Sequence, residues 1–249
     1  IWASRSKPLF GATESVVILH GGMSQSEGFD NKLAAAVKGF DVHSYDRAGH
    51  GRTPDQVGSF HFDFQLKEAV AFLEDVVTEP AHLIGYSDGG IISLMVAINR
   101  PDLVKTITLI GANYHHDAGL PHIKPWTPGE AERAKYAALS PDAPETLDKK
   151  IKKMVKIWNS EPTMTKKDLK KIKCPALVIA GDDDMASLEH TQEIYESIKD
   201  SRLAIIPGAS HSIHKDQPEL LNEIIRRFLA NHEFPVTAQP VRRMKRVAL

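Results

Sequence analysis

One cysteine, Cys174, stands in 249 residues. No internal disulfide can form, which favours a reducing, cytoplasmic setting. No charge of one sign dominates, with 31 basic residues against 32 acidic ones. A nucleic-acid binder usually carries a basic excess, so that class is disfavoured. No apolar run reaches the ~18 residues that a membrane-spanning helix needs. The opening IWASRSKPLF lacks the apolar middle of a secretory leader. The start at Ile1 leaves room for a leader or first strand ahead of it. Repeats and low-complexity stretches are missing too. The remaining classes are globular. A chain of this length buries roughly 70–75% of its unfolded surface and needs no staples, as one large domain or one domain with an insertion.

Short apolar runs alternate with amphipathic ones. Residues 16–20 (VVILH), 40–46, 81–86, 104–112, 175–181 and 201–208 read as buried strands, several of them β-branched and bounded by Gly, Pro or charge. Residues 64–77 place Leu66, Val70, Leu73 and Val77 on one helical face. Residues 216–228 do the same with Leu220, Leu221, Ile224, Ile225 and Phe228, and Asp216 with Glu219 makes a capping pair at their start. Strand–helix alternation predicts an α/β fold with a mostly parallel sheet covered on both faces.

The alternation breaks over residues 113–167, which predicts a helical lid inserted into a core formed by 1–112 and 168–249. Thr127, Pro128 and Glu130 read as a capping box with proline at the first helical position. Leu147, Ile151, Met154, Val155 and Trp158 then form one apolar stripe. The opposite side carries Lys149, Lys150, Lys152, Lys153 and Lys156, read as a solvated face. The basic end, residues 241–249, reads as frayed or loosely docked.

Gly85-Tyr86-Ser87-Asp88-Gly89 follows an apolar strand and precedes a helical pattern. That is the context of a nucleophile elbow, in which small neighbours let a sharp turn hold a serine out of the sheet. The following helix brings N–H groups and a positive dipole end to the serine oxygen. Serine needs a base, and the base needs an orienting acid, in the chain order nucleophile, acid, histidine. His211 follows the 201–208 strand through Gly208-Ala209-Ser210, and His214 is its rival. Asp182, Asp183 and Asp184 all follow the 175–181 strand, and spacing alone does not choose among them. Asn113, at the end of the strand after the nucleophile, is neutral and cannot stabilise an imidazolium. Neither the aspartates nor His115, His116, Asp117 and His122 show a metal-ligand spacing, so no metal is expected.

An attacked carbonyl needs two N–H donors. Asp88, the residue after the nucleophile, supplies one through its backbone. The loop His20-Gly21-Gly22-Met23 supplies the other, with Gly22 the first choice and Met23 the second. An acidic residue beside such a serine raises a question, which the first turn of a helix answers in part, because the dipole there favours a carboxylate.

These segments, with DRAGHGRT at 46–53, resemble the α/β-hydrolase superfamily in its capped, esterase-like branch, over nearly all of residues 16–229. The resemblance implies the α/β-hydrolase fold, a triad of Ser87, Asp184 and His211, and oxyanion donors at Gly22 and Asp88. The elbow GYSDGG is similar to that of valacyclovir-hydrolase-like members. Haloalkane dehalogenases and epoxide hydrolases of this fold carry a carboxylate where this chain has Ser87, so both are disfavoured. The family's usual opening hairpin before residue 16 is not evident.

The expected activity is hydrolysis of carboxylic esters or related acyl compounds through an acyl-enzyme, on a small-molecule substrate and without a cofactor. The same triad serves carbon–carbon bonds of diketones, lactones, thioesters and amides. A ligand receptor on a retained hydrolase scaffold is the reading of another class. Met23, Trp126, Tyr136, Met154 and Trp158 are the candidates for the substrate pocket or the lid core.

Overall fold

A computed structural model describes residues 1–8, 11, 14–119 and 122–240. The basic end at 241–249 lies outside them. The strands are β1 (Trp2–Ser6), β2 (Ser15–Leu19), β3 (Asp41–Asp46), β4 (Ala81–Tyr86), β5 (Val104–Ile110), β6 (Ala176–Asp183) and β7 (Ser201–Ser210). They form a seven-stranded sheet in the order β1-β3-β2-β4-β5-β6-β7. Only β1 runs antiparallel to its neighbour.

Side chains on successive strand residues face opposite sides, and this builds two cores. On one side Val17, Leu19, Leu83, Ile107, Leu109 and Val178 meet α2 (Phe62–Phe72), α3 (Asp88–Asn99) and α7 (Leu188–Ser197). On the other, Val16, Ile18, Ile84, Ile110, Leu177 and Ile179 meet α1 (Ser26–Leu33), the short α8 (Ile213–Asp216) and α9 (Pro218–Ala230). The apolar runs of the sequence are continuous because both faces are covered.

The order places β3 and β4 on either side of β2, so the connections leave the carboxyl ends of β2 and β4 in opposite directions. Such a switch point opens a crevice in a parallel sheet. The loop after β2 and the turn after β4 meet there.

Between β5 and β6 lie α4 (Glu130–Leu139), α5 (Leu147–Trp158) and the short α6 (Lys166–Leu169). The apolar stripe of α5 is buried at Leu147, Ile151, Met154 and Val155. The opposite side is not wholly solvated. Lys150 is 2% exposed, donating to the Asp142 carboxylate (2.6 Å) and to Gly49 O (3.2 Å). Lys153 reaches Asp55 at 2.5 Å. A tertiary carboxylate overrode the helical periodicity at both positions.

Three other expectations are corrected. α4 begins after Gly129 without a side-chain cap, so Thr127 and Glu130 form no capping box there. α9 begins at Pro218, also uncapped, because the Asp216 carboxylate instead accepts from the Ser210 N–H and hydroxyl. An opening strand does exist. β1 lies on the exposed edge and carries no apolar alternation, which hid it from a periodicity reading. It is held by its ladder to β3, by the Arg5–Asp41 ion pair (2.5 Å) and by Arg52 over the Trp2 ring (4.3 Å).

Burial also sets the response to acid. Desolvation drives His82, His190 and His214 down to about 4. The unfolded chain binds those protons near pH 6.5, so between 4 and 6.5 it carries more protons than the fold. Stability is then lost as pH falls, by about 1.4 kcal/mol per pH unit per histidine. Asp30, raised to about 7 by burial, acts in the opposite sense over the same window. His20, His43 and His50, also lowered by burial, act in the same sense as the other three, so stability is expected to fall from pH 7 to pH 5. Urea unfolding at the two values checks this, and an unchanged or rising stability at pH 5 refutes it.

Candidate active site

Ser87 sits in a turn between β4 and α3 with φ 52° and ψ −117°. A side chain in that region is strained, and the turn tolerates it because the chains around it are close. A Cβ on Gly85 would lie 2.1 Å from Gly89 O, and one on Gly89 would lie 2.0 Å from Leu19 O. Two glycines therefore let β4, α3 and β2 converge under the serine. The Ser87 N–H donates to Ile110 O (2.8 Å), tying the turn to the end of β5.

Ser87 Oγ lies 3.0 Å from His211 Nε2, and His211 Nδ1 lies 2.7 Å from Asp184 Oδ1. An ionised carboxylate only accepts. Nδ1 therefore carries a proton toward Asp184, and Nε2 is left to accept from the serine hydroxyl. The Asp184 side chain is 0% exposed and also accepts from the Met185 N–H (2.7 Å). Its neighbours are elsewhere: Asp182 accepts from the Ala209 N–H (3.2 Å), and Asp183 is exposed. His214 is buried between Phe29 and Tyr86 and is not the histidine that meets Ser87.

Sequence reasoning missed Gly111. At φ +59° it follows β5, and a Cβ there would lie 2.9 Å from His211 Nδ1 and 3.2 Å from Asp184 Oδ2. The signal was present as a glycine at a strand exit. Gly111→Ala is expected to push the imidazole off line and lower kcat by about 100-fold, as misplacement on the ångström scale does. Steady-state kinetics on an activated ester checks it, and a wild-type kcat removes Gly111 from the site.

The loop after β2 is built around buried His20. Its Nδ1–H donates to Gly21 O (2.7 Å), and its Nε2 accepts from the Arg47 N–H (3.2 Å). Arg47 is itself fully buried; its guanidinium donates to Gly21 O (2.8 Å), to Gln65 and, at 3.5 Å, to Asp88 Oδ2. Asp88 is 2% exposed. Burial raises its carboxyl above the usual range, while Arg47 and a hydrogen bond from Trp158 Nε1 to Oδ1 (2.9 Å) oppose that rise. The carboxylate thus faces an indole and a guanidinium. The Asp88 N–H opens α3, where the first N–H groups have no intrahelical acceptor.

A cavity of about 350 Å³ contains Ser87 and His211 in its wall, with Gly22, Asp88, Gly111 and Asn113 beside them. Trp126 and Trp158 also line it, with near-parallel rings 6.4 Å apart. Ile91, Ile123 and Met185 add apolar surface, and Glu161 adds a second carboxylate. Met23 does not line it. That residue packs with Tyr136 against Leu147, Ile151 and Val155, while Met154 is fully buried in the core. Among the described residues no group of three or more His, Cys, Asp or Glu could hold a metal ion. No helix among them is long and apolar enough to cross a membrane.

An open parallel sheet with a strained serine at its switch point defines a hydrolase of the α/β class. The chain belongs to the alpha/beta hydrolase family, whose model matches residues 16–224. It is similar to the (E)-2-((N-methylformamido)methylene)succinate hydrolase of Acinetobacter baylyi, 26% identical over 245 residues, covering 88% of this chain and 91% of that protein. It is also similar to the serine hydrolase BPHL of Homo sapiens, 27% identical over 213 residues, covering 80% of this chain and 71% of that one. Among solved structures, the alpha/beta hydrolase MGS-M2 from a Medee basin deep-sea metagenome library shares the fold. It has a TM-score of 0.75 at 17% identity, over 95% of this chain and 96% of that one.

Proposed function

We propose that this hydrolase cleaves carboxylic esters or related acyl compounds through an acyl-enzyme on Ser87. The observation that carries the reading is the continuous hydrogen-bond line from Ser87 through His211 to Asp184 at the wall of a cavity. His211 Nε2 takes the Ser87 proton as Oγ attacks the carbonyl carbon. The oxyanion forms against the N–H groups of Gly22 and Asp88. Asp184 holds the imidazolium. Collapse expels the alcohol, which leaves with the proton from His211. Water, deprotonated by the same histidine, then releases the acid. The α4–α5 segment acts as the lid.

The wall supports neutral, largely apolar groups. Among the described residues its lining holds no lysine or arginine, and Glu161 in that lining repels an anion. The Acinetobacter relative is named for a succinate substrate. Among the described residues the lining offers no lysine or arginine to pair with such a dianion, so a succinate-like acyl group is disfavoured here.

A panel of nitrophenyl esters of rising chain length, run on the wild type and Ser87→Ala, tests the reading. Turnover is expected for neutral acyl chains and weak turnover for a hemisuccinate ester. No cleavage of any ester by the wild type, with ligand-dependent thermal stabilisation instead, would favour the receptor.

A further inference from the structure

The loop proposed to hold the oxyanion is packed by three side chains. Arg47 holds Gly21 O from the core at 2.8 Å. The Asp88 carboxylate sits on one side of Gly22, where a Cβ would lie 2.6 Å from Oδ2. The Trp158 indole packs against the same side, where that Cβ would lie 2.4 Å from Cζ2 and 3.1 Å from Cε2. Trp158 belongs to α5, between β5 and β6, while Gly22 lies in the loop after β2 and Asp88 opens α3. The indole N–H to Asp88 Oδ1 bond, at 2.9 Å, is what ties α5 to the elbow.

We propose that Trp158 is a positioning residue for the oxyanion loop, locked in place by Asp88, so that docking of α5 and completion of the oxyanion hole are one event. This rests on the acyl-transfer reading above. The geometry leaves little latitude. The indole edge touches the Gly22 backbone at a distance no side chain could share. An indole that swings away removes the support on which the Gly22 N–H direction depends. Asp88 then has two functions that do not compete. Its backbone N–H faces the reacting oxygen, and its carboxylate holds the lid residue that presses the second donor into line. The carboxylate beside the nucleophile is thereby spent on an indole N–H and a guanidinium and is not directed at the oxyanion.

A cycle of variants on the full chain tests this. Trp158→Phe keeps a ring and removes the donor. Asp88→Leu removes the acceptor, and Asp88→Asn keeps one. Readouts are kcat and KM for nitrophenyl butyrate, and the rate at which a fluorophosphonate probe labels Ser87. Trp158→Phe and Asp88→Leu are each expected to lower kcat and the labelling rate about tenfold, with KM within about threefold, since the lost contact acts on the transition state. The double variant is expected to fall no further than either single one, because coupled residues are non-additive. Asp88→Asn, which keeps an acceptor for the indole N–H, is expected to lose less kcat than Asp88→Leu. A Trp158→Phe enzyme with raised KM and unchanged kcat would make Trp158 a wall residue and overturn the proposal. Additive losses would overturn it too. If Trp158→Phe fails to fold, Asp88→Leu against Asp88→Asn makes the same comparison, and equal kcat values refute the lock. Failure of the wild type to label at Ser87 would instead remove the acyl-transfer reading itself, a distinguishable result.

Discussion

Ser87→Ala is expected to lower kcat for an activated ester by about a millionfold, to a residual rate set by binding and the oxyanion donors. The loss is that large because in the proposed mechanism the serine, base and acid act as one unit. Alanine removes the only atom that can bond to the acyl carbon, and His211 is left with no proton to take. KM should change little, since the cavity wall is otherwise intact, and the fold should hold. Alanine at φ 52° carries the same backbone strain as serine. Burst kinetics and mass spectrometry of the acylated protein check both halves. An acyl adduct in the variant, or ester turnover near wild type, ends the mechanism.

Asp184→Asn should cost about 10⁴ in kcat. Asparagine fits the space, but its amide can present an N–H to His211 Nδ1. The imidazole then turns its proton toward Ser87 and can no longer accept one. Charge matters as well, because the imidazolium formed during attack loses its counter-ion in a site where Asp184 is fully buried. Asp182→Asn is the internal control. That carboxylate binds the Ala209 N–H, outside the cavity, and its variant should stay within a few-fold of wild type. Equal losses at 182 and 184 would refute the choice of acid.

The elbow was legible because its requirements are local. A strand, a serine between glycines and a helix lie within a dozen positions, and each glycine is demanded by a contact with neighbouring backbone. The buried strands were legible because coverage of both sheet faces writes an apolar run into the sequence. The choice of Asp184 over Asp182 and Asp183 was not legible from spacing, since one residue along the chain turns a side chain away and only the placement of β7 decides. Lys150 misled for the opposite reason. Its helical position was read correctly, yet Asp142 and a backbone carbonyl lay waiting on that side. Edge strand β1 escaped because an exposed strand has no apolar pattern to display. The side-chain direction of Asp88 depended on Arg47 and Trp158, which are distant in sequence and could be brought together only by the fold.

α5 is fastened at its middle and at its last residue. Lys150 and Lys153 clip its middle to the loop carrying Gly49 and Asp55, and Trp158 clips its last residue to Asp88. These sockets differ in kind. A backbone carbonyl such as that of Gly49 is offered by any sequence of the same shape, whereas Asp55 and Asp88 are side chains that another core need not possess. The helical segment between β5 and β6 is therefore not a freely exchangeable cassette. A graft of residues 113–167 onto a related sheet would carry its own Lys150–Asp142 pair with it, but would seat correctly only on a core that supplies both carboxylates.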